Sequence, residues 1–277
     1  MATLAQTSAD GSRRPDLLSG MPRAHAIDRW IFVFMAAWFI VIVLIGFIPD
    51  SLNKIAAVQA GERPPFPLVL HMHAVLMGSF LLLLLAQTWL MATGRRELHM
   101  RLGVLGAILA IALVVVGFVL IPTMYHQTWN LLQSAPPEAR EKLQTALLRS
   151  DNGKLQQLRI GLLFPLFFVI ALRARRTEPG LHKRMMILAT AMPLPAGIDR
   201  IVWLPKTLPV SPLSSELYML VAVLPMFLWD VYRNRRVHNA YWIWLAINVP
   251  IAVGVHGLWD RPWWHAVVPR MMGVESF

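Results

Sequence analysis

The chain contains no cysteine. That excludes disulfides, thiolate metal sites, iron–sulfur clusters and covalent c-type haem attachment, all of which need the thiol. It leaves an external location open, because external proteins can lack disulfides. Charge is scarce as well: 15% of the 277 residues are charged against 56% hydrophobic, and mean hydropathy is +0.53. Soluble domains carry about 25% charged residues, so that class is excluded. Strand-like alternation suited to a lipid-facing barrel is missing. So are a phosphate-binding P-loop, an H-E-x-x-H zinc helix and a G-x-S-x-G nucleophile turn. Four positions after His256 stands Asp260, so His256 does not open a pair of zinc-spaced histidines.

What remains is apolar runs punctuated by basic clusters. Seven stretches, at about 30–48, 67–91, 102–122, 158–174, 183–204, 213–231 and 240–258, reach the roughly 20 residues a helix needs to cross a bilayer. Lipid offers no partners to backbone polar groups, so these runs are expected to be helical. The expected fold is all-α, a polytopic bundle of seven spans in which a lead helix precedes three helical hairpins. Residues 1–29 read as a disordered basic cytoplasmic tail, 30–258 as the seven-span domain, and 259–277 as an external aromatic-rich tail anchored by Trp259, Trp263 and Trp264. The longest connection, 123–157, holds Pro136-Pro137-Glu138, a helix-opening signal before Leu143, Ala146 and Leu147, and suggests a short helix lying at the outer interface.

Charge sets the expected orientation. Of 26 Lys and Arg, 15 fall in the N-terminal segment and three short junctions. The positive-inside rule then predicts a cytoplasmic N-terminus and an external C-terminus in a bacterial inner membrane. A net charge of +11 could otherwise suggest nucleic acid, but charge that flanks spans is better explained by topology and anionic lipid headgroups. The expected partner is therefore the bilayer, with no nucleic acid.

The three junctions repeat. Each is basic and ends in a histidine: His99, His182 and His238. Leu98-His99-Met100-Arg101 aligns with Leu181-His182-Lys183-Arg184, and His99 precedes Pro122 by the same 23 positions that separate His182 from Pro205. The order of His71-Met72-His73-Ala74, Gln87, these two junctions, and Asp230 ahead of Arg235-Arg236-Val237-His238 resembles a group of uncharacterised bacterial multi-span inner-membrane proteins with histidine-bearing basic junctions. Asp199-Arg200 resembles the polar end of that group's fifth span. The resemblance implies a fold and a location and names no reaction.

Candidate chemistry lies in two sets. In the outer half, His71, His73, His126, His256 and Asp199 are candidate ligands for haem b or a non-haem metal ion, since imidazole and carboxylate suit zinc, iron and copper. Helical positions two apart point about 200° apart, so His71 and His73 cannot both face one centre. His73 shares its face with Met77, Phe80, Leu84 and Gln87, and is expected inside; His71 aligns with Val75, Gly78 and Leu82. Gln87 and Arg200 are further polar-site candidates, and Asp199-Arg200 also reads as an internal ion pair. At the junctions, His99, Arg101, His182, Lys183, Arg184 and His238 are expected to contact lipid headgroups or to act as structural caps. Pro193 and Pro195 predict a kinked or broken fifth span. The leading functional expectation is a redox or metal- or haem-binding membrane protein with an outer-half histidine site. The alternatives are a small-solute transporter or channel using the broken span, and a non-enzymatic scaffold.

Overall fold

The computed structural model describes residues 16–19 and 25–275. Among them are nine α-helices and one 3-10 turn, Leu17–Ser19, with no strand. The helices are α1 (Ala26–Gln59), α2 (Leu68–Ala92), α3 (Arg96–Ser134), α4 (Pro137–Ala174), α5 (Pro179–Ala191), α6 (Leu194–Ile198), α7 (Leu213–Asn234), α8 (Asn239–Leu258) and α9 (Pro262–Met271). Six of them, α1, α2, α3, α4, α7 and α8, are long and apolar enough to cross a membrane. The chain is a multi-pass helical membrane protein.

The fifth expected span is not one helix. Pro193 and Pro195 have no amide hydrogen, so the carbonyls of Ala189 and Ala191 lose their ordinary i+4 donors. Met192 N turns back to Ala189 O at 3.1 Å, the chain bends at Pro193, and α6 restarts one short turn. Six continuous candidate spans plus this interrupted segment replace the seven uniform ones.

The interrupted segment is also the centre of the bundle. No residue from Leu181 to Arg200 is fully exposed. Helix α5 packs along α4 and touches α1, α7 and α8, while α6 packs on α1 and α7. The α2–α3 hairpin lies outside this group, with α2 against α1 and α3 against α4. Only 17% and 11% of the most apolar windows of α2 and α3 are buried, against 39% for α1, α4 and α7. Val75, Leu82, Val104 and Ile111 accordingly form an outward apolar face, which in a bilayer meets acyl chains.

Helices in lipid associate through close packing of small residues and through polar pairs rather than through exclusion of water. Gly46 supplies the closest approach: a Cβ there would stand 2.0 Å from the backbone oxygen of Gly197, so α1 and α6 meet this closely only because position 46 is glycine. Elsewhere the core is filled by Met35, Phe39, Phe167, Met185, Leu188 and Met226, all essentially inaccessible.

Three connections differ from expectation. Between Tyr125 and Leu155 the chain is not a short interfacial helix between loops: α3 continues to Ser134, and α4 starts at Pro137, with proline at its first position, and runs unbroken into the membrane stretch. The C-terminal segment forms α9, whose Trp264 and Val268 close a second core with Tyr125, Leu132, Leu147 and Leu155. In the 1–29 tail, residues 16–19 are docked and helix α1 has already begun at Ala26; residues 1–15 and 20–24, including Arg13, Arg14 and Arg23, lie outside the described residues.

Candidate functional site

Charged side chains inside a membrane bundle are costly and mark places to look for function, each with its partner. They gather at both ends of the central segment. At the end carrying the basic junctions, Arg184 on α5 is fully buried. Its Nε and Nη2 donate to the two carboxylate oxygens of Asp230 on α7, itself 0% exposed. Its Nη1 and Nη2 donate to the two oxygens of Asp16 at 2.9 Å each, and Nη1 also reaches Gly180 O at 2.9 Å. Asn234 Nδ2 donates to both Asp230 and Asp16. Beside this cluster Asp28 of α1 accepts from Arg233 and from Trp229 Nε1. Lys183 donates to Leu18 O and stands 5.1 Å from the Phe32 ring centre.

His238 caps α8, its Nδ1 accepting from Ala240 N at 3.1 Å. That contact puts the ring proton on Nε2, which faces Gly180. Burial, and then Arg184 beside it, pull the ring's pKa down to about 4, so it is neutral near pH 7. His99 and His182 behave alike. Each holds a backbone carbonyl of the preceding helix with Nδ1, Gln87 O at 3.3 Å and Ala171 O at 2.8 Å, and their rings meet edge to face at 6.5 Å. The junction histidines therefore act as caps and clasps. Arg101 is exposed and pairs with Glu97, but Lys183 and Arg184 turn into the protein rather than toward headgroups, because they open the central helix.

Deeper in the bundle Arg159 of α4 makes a two-pronged pair with Glu216 of α7, and its Nη2 and Nε donate to Asn248 Oδ1 on α8 at 2.7 and 3.3 Å. All three are at least 91% buried. Past the break, Ser215 Oγ donates to Asp199 Oδ1 at 2.7 Å and Lys206 reaches Asp199 O. Arg200 does not pair with Asp199: its Nε donates to Asp50 of α1 at 3.0 Å, beside Lys54, and its guanidinium lies 4.5 Å from the Phe47 ring centre. Consecutive residues leave a helix end in different directions, so the two serve different neighbours.

The histidines expected in the outer half are not brought together. His71 is exposed, edge-on to Phe66, while His73 turns inward and its Nδ1 is buried without a hydrogen-bond partner. This matches the face on which Phe80 and Leu84 are buried. His126 Nε2 contacts Met272 O at 2.7 Å, fastening α3 to the C-terminal segment, and His256 sits half-buried at the end of α8. Among the described residues no group of three His, Asp or Glu could hold a metal ion. Gln87 Oε1 is buried and unpartnered at the junction end of α2, far from Arg200 at the other end of the bundle.

Sequence reasoning missed Arg159, Asn248, Asp230 and Asp16 as site residues. Asn248 carried a signal, being an amide in the middle of an apolar run, and Asp230 another, an acid inside a span beside a basic junction. Arg159 at the edge of its run reads as interfacial. A separate network of His265 between Asp151 and Asp260, with Asn152 and Trp264 joined to it, lies in the second core. No protein-family model, curated protein or solved structure matches the chain.

Proposed function

We propose that the chain crosses a bacterial inner membrane seven times, N-terminus cytoplasmic and C-terminus external, and passes a small solute along its broken central helix. From Pro179 to Ile198 helices α5 and α6 with their link run 20 residues, a rise of about 30 Å at 1.5 Å per residue, which is close to the thickness of a hydrocarbon core. The observation that carries the reading is the break itself. It lies at Pro193 in the most enclosed segment of the bundle, with charged groups at either end and the Arg159–Glu216–Asn248 cluster alongside. A helix interrupted for packing alone has no need of ionisable partners at those depths, whereas discontinuous helices in transporters present backbone groups and ions to a solute.

The chain's lack of cysteine supplies the test. Ala196→Cys should react with a membrane-impermeant thiol reagent added from the external side, and replacing Pro193 and Pro195 by alanine should suppress that reaction by restoring a continuous helix. A folded Ala196→Cys protein that stays unreactive overturns the reading.

One observation favours a second reading, a bound metal ion or haem b. A buried imidazole nitrogen without a partner is costly, and His73 Nδ1 is one. Purified protein would then carry a haem band or a stoichiometric metal that His73→Ala removes. Colourless, metal-free protein whose stability His73→Ala leaves unchanged sinks it.

A further inference from the structure

We infer that the junction end of the bundle is a binding site for a small carboxylate, and that Asp16 occupies it as an internal ligand. The site is built from buried groups. Arg184 offers Nη1 and Nη2 side by side, the geometry that matches a planar two-oxygen anion, and both oxygens of Asp16 lie 2.9 Å from it. Asn234 Nδ2 adds a neutral donor at 3.3 Å.

Gly180 makes the room. A Cβ there would come within 2.5 Å of Asp16 Oδ2 and 3.2 Å of both Arg184 Nη1 and His238 Nε2. The Asp16 carboxylate would therefore be pushed from where it lies by a side chain at this position. Its φ is not in the left-handed region, so backbone freedom is not the reason for glycine here.

Charge balance separates Asp16 from Asp230. Arg184 is already paired by Asp230, a residue fixed in the wall of the bundle. Lys183 is the second cation at this end, and Asp28 is committed to Arg233. Without Asp16 one positive charge in an enclosed place lacks a counterpart, which is the condition for recruiting an anion. Asp16 itself arrives on a short docked segment. Leu18 inserts into the main core at 2% exposure, Leu17 N donates to Asn234 Oδ1 at 2.9 Å, and Lys183 donates to Leu18 O. The docked element is a single three-residue turn, so a free carboxylate can compete with it at concentrations comparable to that of a tethered ligand, which are in the millimolar range or above. The carboxylate site stands on this geometry alone. Naming its ligand as the transported solute, with Asp16 as a stand-in that closes the inner end, rests on the transport reading.

Leu18→Cys in the full-length, otherwise cysteine-free chain reports the docking. In detergent its reaction with a maleimide should be slow, and adding Asp16→Asn or Gly180→Ala should raise the rate at least about tenfold, the equivalent of losing one charge-assisted hydrogen bond. Gly180→Ala puts a favourable helix former into the first turn of α5, so a melting temperature kept within a few degrees of the parent's shows that release of the segment is not unfolding. Sodium acetate at about 0.1 M, against equimolar sodium chloride, should speed labelling severalfold in the Leu18→Cys parent and have no effect once Asp16→Asn has already freed the segment. If Gly180→Ala and Asp16→Asn leave labelling slow, Asp16 is not the ligand. If acetate does no more than chloride, the site is a fixed clasp and the proposal falls. An acetate response together with an unreactive Ala196→Cys keeps the carboxylate site and removes transport.

Discussion

Helices α3 and α5 begin with the same motif and end in opposite surroundings. Leu98-His99-Met100-Arg101 and Leu181-His182-Lys183-Arg184 are in register, and His99 and His182 make the same Nδ1 contact to the preceding helix. Yet the Arg101 side chain is 75% exposed and paired with Glu97, while Arg184 is 0% exposed between Asp230 and Asp16. The α3 helix runs 39 residues along the outside of the bundle, whereas α5 stops after 13 at its centre. The repeated motif specifies how a hairpin is clasped. Where the hairpin sits is decided by the residues downstream of the motif: small side chains and two prolines in the second copy, an unbroken apolar run in the first.

The largest difference between the copies is expected from their arginines. Arg184→Ala leaves Asp230 buried without its cation, a loss of about 3–5 kcal/mol. Arg101→Ala removes an exposed pair four residues apart on one helix, and should leave stability unchanged. Thermal unfolding in detergent would measure both. Equal effects would mean that α5 is not the central helix.

A smaller effect separates pair removal from pair replacement. Truncating either Arg159 or Glu216 to alanine strands the other, at about 3–5 kcal/mol, while replacing both by methionine should recover most of that loss because neither charge then needs a partner. Asn248 would keep an unpaired oxygen in the double variant, so recovery should stop short of the parent. A double variant as unstable as the singles would show that this cluster is held by more than its own charges.

These tests probe the part of the molecule that was least legible in the sequence. Six of the seven apolar runs fall within α1, α2, α3, α4, α7 and α8, and the inward face of α2 follows from spacing, with Phe80 and Leu84 buried and Leu82 exposed. The extensions of α3 and α4 were hidden because counting apolar residues finds only the bilayer portion of a helix. Leu132, Leu147 and Leu155 meet across a polar hairpin that becomes recognisable once α9 covers it. The break at Pro193 was visible in the residues themselves. Burial of Arg184 was not, since its motif twin is exposed, and neither were the pairings of Arg200 with Asp50 or of Arg159 with Glu216, which join residues 150 and 57 positions apart.

Glycine contacts sharpen the comparison next. Gly46→Ala drives a methyl into the backbone oxygen of Gly197, which cannot rotate away as a side chain could, so overpacking should cost about 1–3 kcal/mol. Gly103→Ala in the outer hairpin meets nothing nearer than Gln87 Nε2 at 3.7 Å, and, lying within α3, it should be neutral or slightly stabilising. Melting temperatures that fall together would place the tightest helix contact elsewhere than at the central segment.

The smallest expected effect belongs to the feature the two copies share. His99→Ala and His182→Ala each release one backbone carbonyl at a junction, Gln87 O and Ala171 O, and a single such hydrogen bond contributes about 1 kcal/mol. Their surroundings make the losses unequal. Ala171 is fully buried, so its freed carbonyl has little access to water, whereas Gln87, near the junction end of α2, is only half-buried. His182→Ala should therefore lower the melting temperature more than His99→Ala. Because the rings touch edge to face, the double variant should lose slightly less than the sum of the two single losses. Identical single losses that add without coupling would mean the junctions are independent clasps, with the contact between repeats contributing nothing.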